Sequence, residues 1–369
     1  MPNHHYELAT HADDPELRRL LRENPFAGSI SLSFEREPDY FHASAIEGPF
    51  HETLVVRDSQ NGRLVGIGDR SVRPLYVNGK IKDVGYFSGL RVDMKYQQGL
   101  ALARFLGKGF EGQREQHKDG RTKFYLMSIV ADNNPARRLL DSKLPFYPRL
   151  HPHTRMFTYA VHPARLKKES KIKITRGTSD LIPAIIDCLQ RNGVQHQFAP
   201  HWTENTLLSP LTAGLAISDF FLALNGSCVR GCLALWDQQA YKQSIVRGYS
   251  GDMARFRTLI NLLAPLGFWA PLPEPGTRLN QCFACFLAVD DDDPQVFSAL
   301  LRALYNETVR RNYDYFMLGL AEKNPFHSIV KAYRPIIYES DIYLAAWEDG
   351  FDEIMQIDTR PSALEIAVL

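Results

Sequence analysis

The residues best suited to chemistry gather at one junction, "SGLRVDMKYQQGLALARFL", Ser88 to Leu106, where a strand-like run passes through a short polar loop into a helical pattern. A loop whose backbone N–H groups point at a helix start is an anion site. Those donors lack intrahelical partners, and the helix dipole adds partial positive charge. Gly99 lets a ligand come close to the backbone, although it also reads simply as a helix-initiating glycine. On the strand before the loop, Tyr86 and Ser88 share one face with Leu90 and Val92 under period-two alternation, and Asp83 lies on the other.

Other reactive side chains are weaker candidates. Cys282 and Cys285 sit in the apolar run "QCFACFLAV", where residues three apart face opposite ways, so they do not form a metal pair. His151 and His153 in "LHPHTRMF" have no third ligand nearby and read as a solvated loop. His42 and His51 are candidate bases, each with a structural reading beside it. No metal site is expected.

The elements that position the junction follow from local pattern. A helix is expected from Pro15 to Leu21 and a second within "PDYFHASAIEG", followed by three strands: "ETLVVRD", "RLVGIGDRSVRPLYV" and "KIKDVGYFSGLRV". The last two meet across Asn78-Gly79, a pair suited to the two positive φ angles of a type I′ hairpin. From Gly99, Leu102, Phe105, Leu106 and Phe110 recur at helical spacing, and "KFYLMSIV" returns as a strand. "NNPARRLL" opens another helix, with Asn134 as cap and Pro135 at the first helical position. "TRMFTYAV" closes the half, and "HPARLKKESK" reads as a linker.

The second half repeats this plan. "YLMSIVADNNP" from Tyr125 and "YFMLGLAEKNP" from Tyr315 align without gaps, and "CFACFLAV", "DPQVFSALLRALYNETVRRN" and "SDIYLAAW" supply strand, helix and strand around the second copy. The expected division is residues 1–161, a linker 162–171, a second domain 172–350 and a tail 351–369.

The order strand, "RVDMKYQQGLA", amphipathic helix, strand, "ADNNPARRLL" resembles the GNAT acyltransferase superfamily. Its pyrophosphate loop reads Arg/Gln-x-x-Gly-x-Gly/Ala, with Asn-x-x-Ala one helix and one strand later. The resemblance implies an α/β (α+β) fold of two tandem GNAT-like domains, each a mixed, mainly antiparallel sheet flanked by helices. It implies that Tyr96, Gln97, Gln98, Gly99, Leu100 and Ala101 form the pyrophosphate loop. Asn133 would open the second motif, and backbone groups of Leu90, Arg91 and Val92 would meet the pantetheine arm and thioester of acetyl-CoA or another acyl-CoA. Tyr96 stands where the loop usually has Arg or Gln. Leu140 replaces the tyrosine that often protonates the departing thiolate, and Tyr147 is the nearby alternative, with packing as its other reading. Tyr86 stands about where some members keep a carboxylate base, and with Ser88 it is expected to line the acyl end.

In the second half Asp290 to Asp293 fall opposite Asp93 to Tyr96, Val296 opposite Gly99 and Lys323 opposite Asn133. Clustered carboxylates repel a pyrophosphate and a β-branched side chain blocks close approach, so this copy is expected to be degenerate. Asn134 and Asn324, shared by both halves, read as structural caps. The implied activity is N-acetyltransferase-type transfer of an acetyl or other short acyl group to the amine of a small molecule or peptide. A non-catalytic acyl-CoA sensor or scaffold and a longer-chain acyltransferase are the alternatives. The amine must attack neutral, which costs roughly 4–5 kcal/mol at neutral pH for a lysine-like amine and about 1–1.5 for an α-amine.

Composition limits the partners. With 44% hydrophobic and 23% charged residues, and 43 basic against 42 acidic giving +1, the chain has no global basic field for nucleic acid or anionic membrane. "MPNHHYELATHADD" lacks the apolar core of a signal peptide, and "LINLLAPLGFWAPL" is too short and too interrupted to span a membrane. A cytoplasmic location is the expectation. Oligomeric state is not legible.

Overall fold

The computed structural model describes residues 4–26, 28–96, 99–131, 133, 146–263 and 271–369, with only the backbone of 99–101, 103 and 104. Gln97, Gln98, Asn134, Pro135 and Leu140 therefore lie outside the described residues. The strands are β1 (His4–Leu8), β2 (Ile30–Glu35), β3 (Phe50–Asp58), β4 (Leu64–Val77), β5 (Lys80–Val92), β6 (Tyr125–Val130), β7 (Arg149–Val161), β8 (Ile174–Arg176), β9 (Phe220–Asn225), β10 (Cys228–Trp236), β11 (Gln243–Tyr249), β12 (Gln281–Val289), β13 (Tyr315–Ala321) and β14 (Ile336–Ala346).

Among the described residues, twelve strands form one mixed, mainly antiparallel sheet in the order β1-β3-β4-β5-β6-β14-β7-β13-β12-β10-β9-β8. The two parallel pairs are β5 with β6 and β12 with β13, one in each half of the chain. The β4–β5 hairpin turns at Asn78 (φ 53) and Gly79 (φ 74), as the Asn-Gly pair predicts. At the centre, the two halves exchange their last strands. β14 pairs with β6 from Ala345↔Tyr125 to Ser340↔Val130, while β7 pairs with β13 from Val161↔Phe316 to Met156↔Ala321. β7 ends at Val161, and the sheet runs across the division expected there.

Helix Gly99–His117 lies on one face of the first half, burying Phe105, Leu106 and Phe110 against Phe87, Val92, Tyr125 and Met127. On the other side helix Asp14–Glu23 sets Leu17, Leu20 and Leu21, at helical spacing, against Tyr40, Val55 and Ile67. In the second half helix Ile182–Gly193 covers one face and helix Pro294–Arg310 the other. Cys285 packs in the first of these clusters and Cys282 in the second, as their spacing requires.

Two expectations change. β7 begins at Arg149, so His151 and His153 belong to a strand and not to a solvated loop. Pro152 reads as a strand breaker, but it lies opposite Tyr343 at a register shift in the ladder, where a missing N–H is tolerated. His153 bonds Ser362 Oγ at 2.8 Å, and burial brings its pKa down to about 4. The sequence reading also passed over β2, which pairs with β11 of the second half and so ties residues 30–35 to 243–249.

Candidate functional site

The site begins where two strands part. β5 pairs in parallel with β6 only from Gly85↔Tyr125 to Phe87↔Met127. Beyond that, β5 runs on to Val92 against β4 alone, and β6 runs on to Val130 against β14. The backbone of Ser88 to Val92 thus has no ladder partner in β6. The register of β5 against β4 shifts between Ile67 and Asp69, and Gly89 takes φ +63 there. A Cβ on Gly89 would lie 2.3 Å from Asp69 Oδ2, so this bulge requires glycine. The bulge also corrects the expected alternation. Val92 is buried with Phe87 on the helix side, whereas Tyr86 packs with Leu126 on the other side.

A buried polar cluster stands beside the bulge. Asp69 accepts from Tyr40 Oη (2.8 and 2.7 Å), Thr53 Oγ1 (2.6 Å) and Arg36 (3.0 Å). Arg36 also donates to Glu47 Oε1 at 2.5 Å and Ser44 Oγ at 2.6 Å. Ser88 Oγ donates to Glu47 Oε2 at 2.8 Å. His51 Nε2 lies 3.9 Å from Glu47 Oε2 and 3.7 Å from Asp69 Oδ1. Burial opposes ionisation of Asp69, yet Arg36, His51, Thr53 and Tyr40 outweigh it and hold its carboxyl below the usual range. Burial likewise opposes the charge on Arg36, and Glu47, Tyr40 and Asp69 more than restore it. From the second half, the β2–β11 pairing brings in Lys242. Burial, with Arg36 and Arg73 adding to it, lowers its amine to about 8 against the pull of Glu47.

A narrow cleft opens next to this cluster, lined by Glu47, Arg73, Tyr86, Phe198, Glu365 and Leu369 among others. Of the sequence-predicted residues, Tyr86 lines the cleft and Ser88 contacts it through Glu47. Burial raises the Tyr86 hydroxyl above its ordinary range, so it stays protonated as a wall of the cleft. Tyr147 is on the helix side of the sheet, tilted against Phe110 at 4.8 Å, away from Tyr86 and Ser88; burial pushes it up to about 12. Leu90 is 47% exposed. Arg91 stacks over Phe26 at 3.7 Å and bonds the Leu90 carbonyl; burial, then Arg36, lowers it to about 10.

Tyr96 closes the short turn Met94–Tyr96 and donates to Asp58 at 3.1 Å, so its hydroxyl is committed within the chain. The backbone of Gly99, Leu100 and Ala101 forms the first turn of helix Gly99–His117. The Asn133 N–H bonds the Val130 carbonyl at 3.0 Å, at the end of β6. Arg36, Tyr40, Glu47, Asp69 and Lys242 were missed by sequence reasoning. For Asp69 a signal existed: it is a charged residue two positions after Ile67, at the inward parity of a long strand.

The second half repeats the divergence and fills it. β12 pairs with β13 only from Gln281↔Tyr315 to Ala284↔Leu318, and Phe286 takes φ 55 at the matching register shift against β10. The Phe286 N–H donates to Glu365 at 2.7 Å, and Ile366 fits so closely over Gly319 that a Cβ there would be 2.2 Å away. Asp290, at the start of the loop, is held by Arg191 (3.0 and 2.9 Å) and Asn192 (2.9 Å). Asp293 caps helix Pro294–Arg310, accepting from the N–H groups of Gln295 and Val296. Side chains of the protein therefore occupy the strand gap and the helix N-terminus. Asn324 Oδ1 accepts from the Phe326 N–H at 2.9 Å, in the turn leading to helix His327–Lys331.

No family model matches the chain, and no curated protein matches it by sequence. Solved structures do match. Saccharomyces cerevisiae N-myristoyltransferase with bound myristoyl-CoA has a TM-score of 0.62 at 11% identity, covering 94% of this chain and 79% of that one. A GCN5-related N-acetyltransferase from Sphaerobacter thermophilus has a TM-score of 0.56 at 10% identity, covering 92% and 95%. A GCN5-related glucosamine N-acetyltransferase region of a fungal multi-domain GH3 β-N-acetylglucosaminidase has a TM-score of 0.60 at 11% identity, covering 94% of this chain and 38% of that one. At these identities the likeness is one of fold.

Proposed function

We propose that this chain, whose fold is that of the GNAT superfamily in tandem, transfers an acyl group from an acyl-CoA to an amine. The observation that carries the reading is the divergence of β5 from β6 at Phe87↔Met127, with the Gly89 bulge and the Glu47–Ser88 contact at its mouth. An N-myristoyltransferase with bound myristoyl-CoA shares the fold, which supports acyl-CoA as the donor.

In this reading the loop after Val92 and the first turn of helix Gly99–His117 hold the pyrophosphate through backbone N–H groups, and Asn133 borders the same end of the gap. The β5 backbone past Phe87 hydrogen-bonds the pantetheine arm, and one of its N–H groups faces the oxyanion formed on attack. The amine approaches along the cleft between Glu47 and Tyr86. The acyl group is proposed to be short, such as acetyl. The thiolate of CoA, with a thiol pKa near 8.5, needs little help to leave, so catalysis does not require Tyr147.

Thiol release from acyl-CoAs of increasing chain length, acetyl to myristoyl, over a panel of small amines, amino acids and peptides tests the proposal. Amine-dependent release, lost in Gly99→Val, is expected. Absence of acyl-CoA binding would overturn it, and binding without release over the whole panel would identify a sensor.

A further inference from the structure

Beside Ser88, two acceptors are left incompletely used. Arg36 takes Glu47 Oε1, and Ser88 takes one acceptor position of Oε2, leaving that oxygen capacity for another donor. His51 Nε2 is 3.9 Å from this oxygen and 3.7 Å from Asp69 Oδ1, too far for a hydrogen bond to either. The His51 side chain is only 10% exposed, and its Nε2 meets no hydrogen-bonding partner among the described residues. A buried ring nitrogen in this condition calls for a ligand or a chemical role.

A metal ion is one occupant to weigh, because Glu47, His51 and Asp69 place ligand atoms within 4.8 Å of one another. Asp69 argues against it. Its Oδ1 accepts from Thr53, its Oδ2 from Arg36, and the single Tyr40 hydroxyl proton lies between the two, so at most one of its four acceptor positions is open. The Arg36 guanidinium, bonded to both carboxylates, supplies the positive charge a metal would bring. Asp69 is thus the anchor of the cluster, and the available acceptors are Glu47 Oε2 and His51 Nε2. Two acceptors about 4 Å apart can both reach one nitrogen at ordinary hydrogen-bond length, about 2.9 Å from each. Glu47 also lines the cleft through which an acceptor would arrive.

We propose that Glu47 and His51 form the acceptor subsite for a primary ammonium group, Glu47 Oε2 holding the N–H and His51 Nε2 taking the proton. The inference rests on the acyl-transfer reading. His51 accepts one proton from R–NH3⁺ and passes it to solvent. The freed nitrogen lone pair forms the C–N bond to the thioester carbon, and the carbonyl π pair moves onto oxygen. Collapse of the tetrahedral adduct breaks the C–S bond, sulfur leaves with that electron pair, and the remaining excess proton on nitrogen goes to the thiolate. Ser88 fixes Glu47 at the mouth of the strand gap, which places the nitrogen beside the reacting carbonyl.

Binding of butylamine to the full chain, followed by NMR with and without CoA, tests this. Glu47→Gln and His51→Ala should each weaken amine binding at least tenfold, with CoA binding within twofold of the parent. Unchanged amine binding in folded variants would overturn the proposal, as would a stoichiometric divalent ion that co-purifies with the parent and is lost from both variants. If Glu47→Gln fails to fold, His51→Ala and His51→Gln carry the test. Failure of the acyl-transfer reading looks different: butylamine binding still depends on Glu47 and His51 while no acyl-CoA binds.

Discussion

Gly89 and Glu365 are the single residues on which the two strand gaps turn. Gly89→Ala puts a side chain at φ +63 and drives its Cβ into Asp69, which also holds Arg36, Tyr40 and Thr53. Left-handed strain of roughly 1–2 kcal/mol plus displacement of a buried carboxylate should cost about 2–4 kcal/mol, read from urea denaturation. Glu365 is half-buried, and the loss of water around it raises its carboxyl to about 7 despite hydrogen bonds from the Phe286 and Ala367 backbone. Below about pH 4 the group is protonated in both states. Between there and about 7 the folded chain keeps a proton that the unfolded chain has released, so stability falls as pH rises. The loss should be on the order of 2–3 kcal/mol by pH 8. Glu365→Gln should flatten that dependence between pH 5 and pH 8, and an unchanged slope in the variant would show that Glu365 is not its source.

The two equivalent helices begin differently. Helix Pro294–Arg310 starts on Asp293, whose carboxylate already satisfies the first N–H groups. Asp293→Ala should cost about 1 kcal/mol of stability, as loss of an N-cap does, and leave CoA affinity unchanged. Helix Gly99–His117 starts on the glycine of the proposed pyrophosphate loop. Gly99→Val should lower CoA affinity at least tenfold in calorimetric titration. Equal effects of the two substitutions on CoA would contradict the assignment of one working loop and one closed copy. The strand alternation that placed Tyr86, Ser88, Leu90 and Val92 on one face held for the first pair and failed past Gly89. Alternation assumes an unbroken ladder, and one extra residue reverses every side chain after it.

The molecule as a whole is stitched across its midpoint. β14 lies between β6 and β7, β11 pairs with β2, and the Phe198 N–H bonds the Tyr76 carbonyl at 2.7 Å. A chain ending at Val161 leaves β6 without its β14 neighbour and β7 without either of its partners. Such edges invite aggregation. Residues 1–161 expressed alone should therefore fail to give a cooperative melt, and co-expression with 162–369 should restore a one-to-one complex by size-exclusion chromatography. A stable, CoA-binding 1–161 fragment would show that β14 is dispensable to the first half.

What the sequence determined by itself is local or repeated. The Asn78-Gly79 hairpin, helix Gly99–His117, the strand pairs on either side of each helix and the duplication were legible because turn angles, helical spacing and alternation act between near neighbours. The tertiary structure alone decided three things: the exchange of β7 and β14, the closing of the second gap by Glu365 and Ile366, and the meeting of Arg36, Glu47, His51 and Asp69. An alternating strand carries no mark of which distant strand it pairs with. A buried charge looks like a surface charge until its partner, 33 positions away for Arg36 and Asp69, is folded against it.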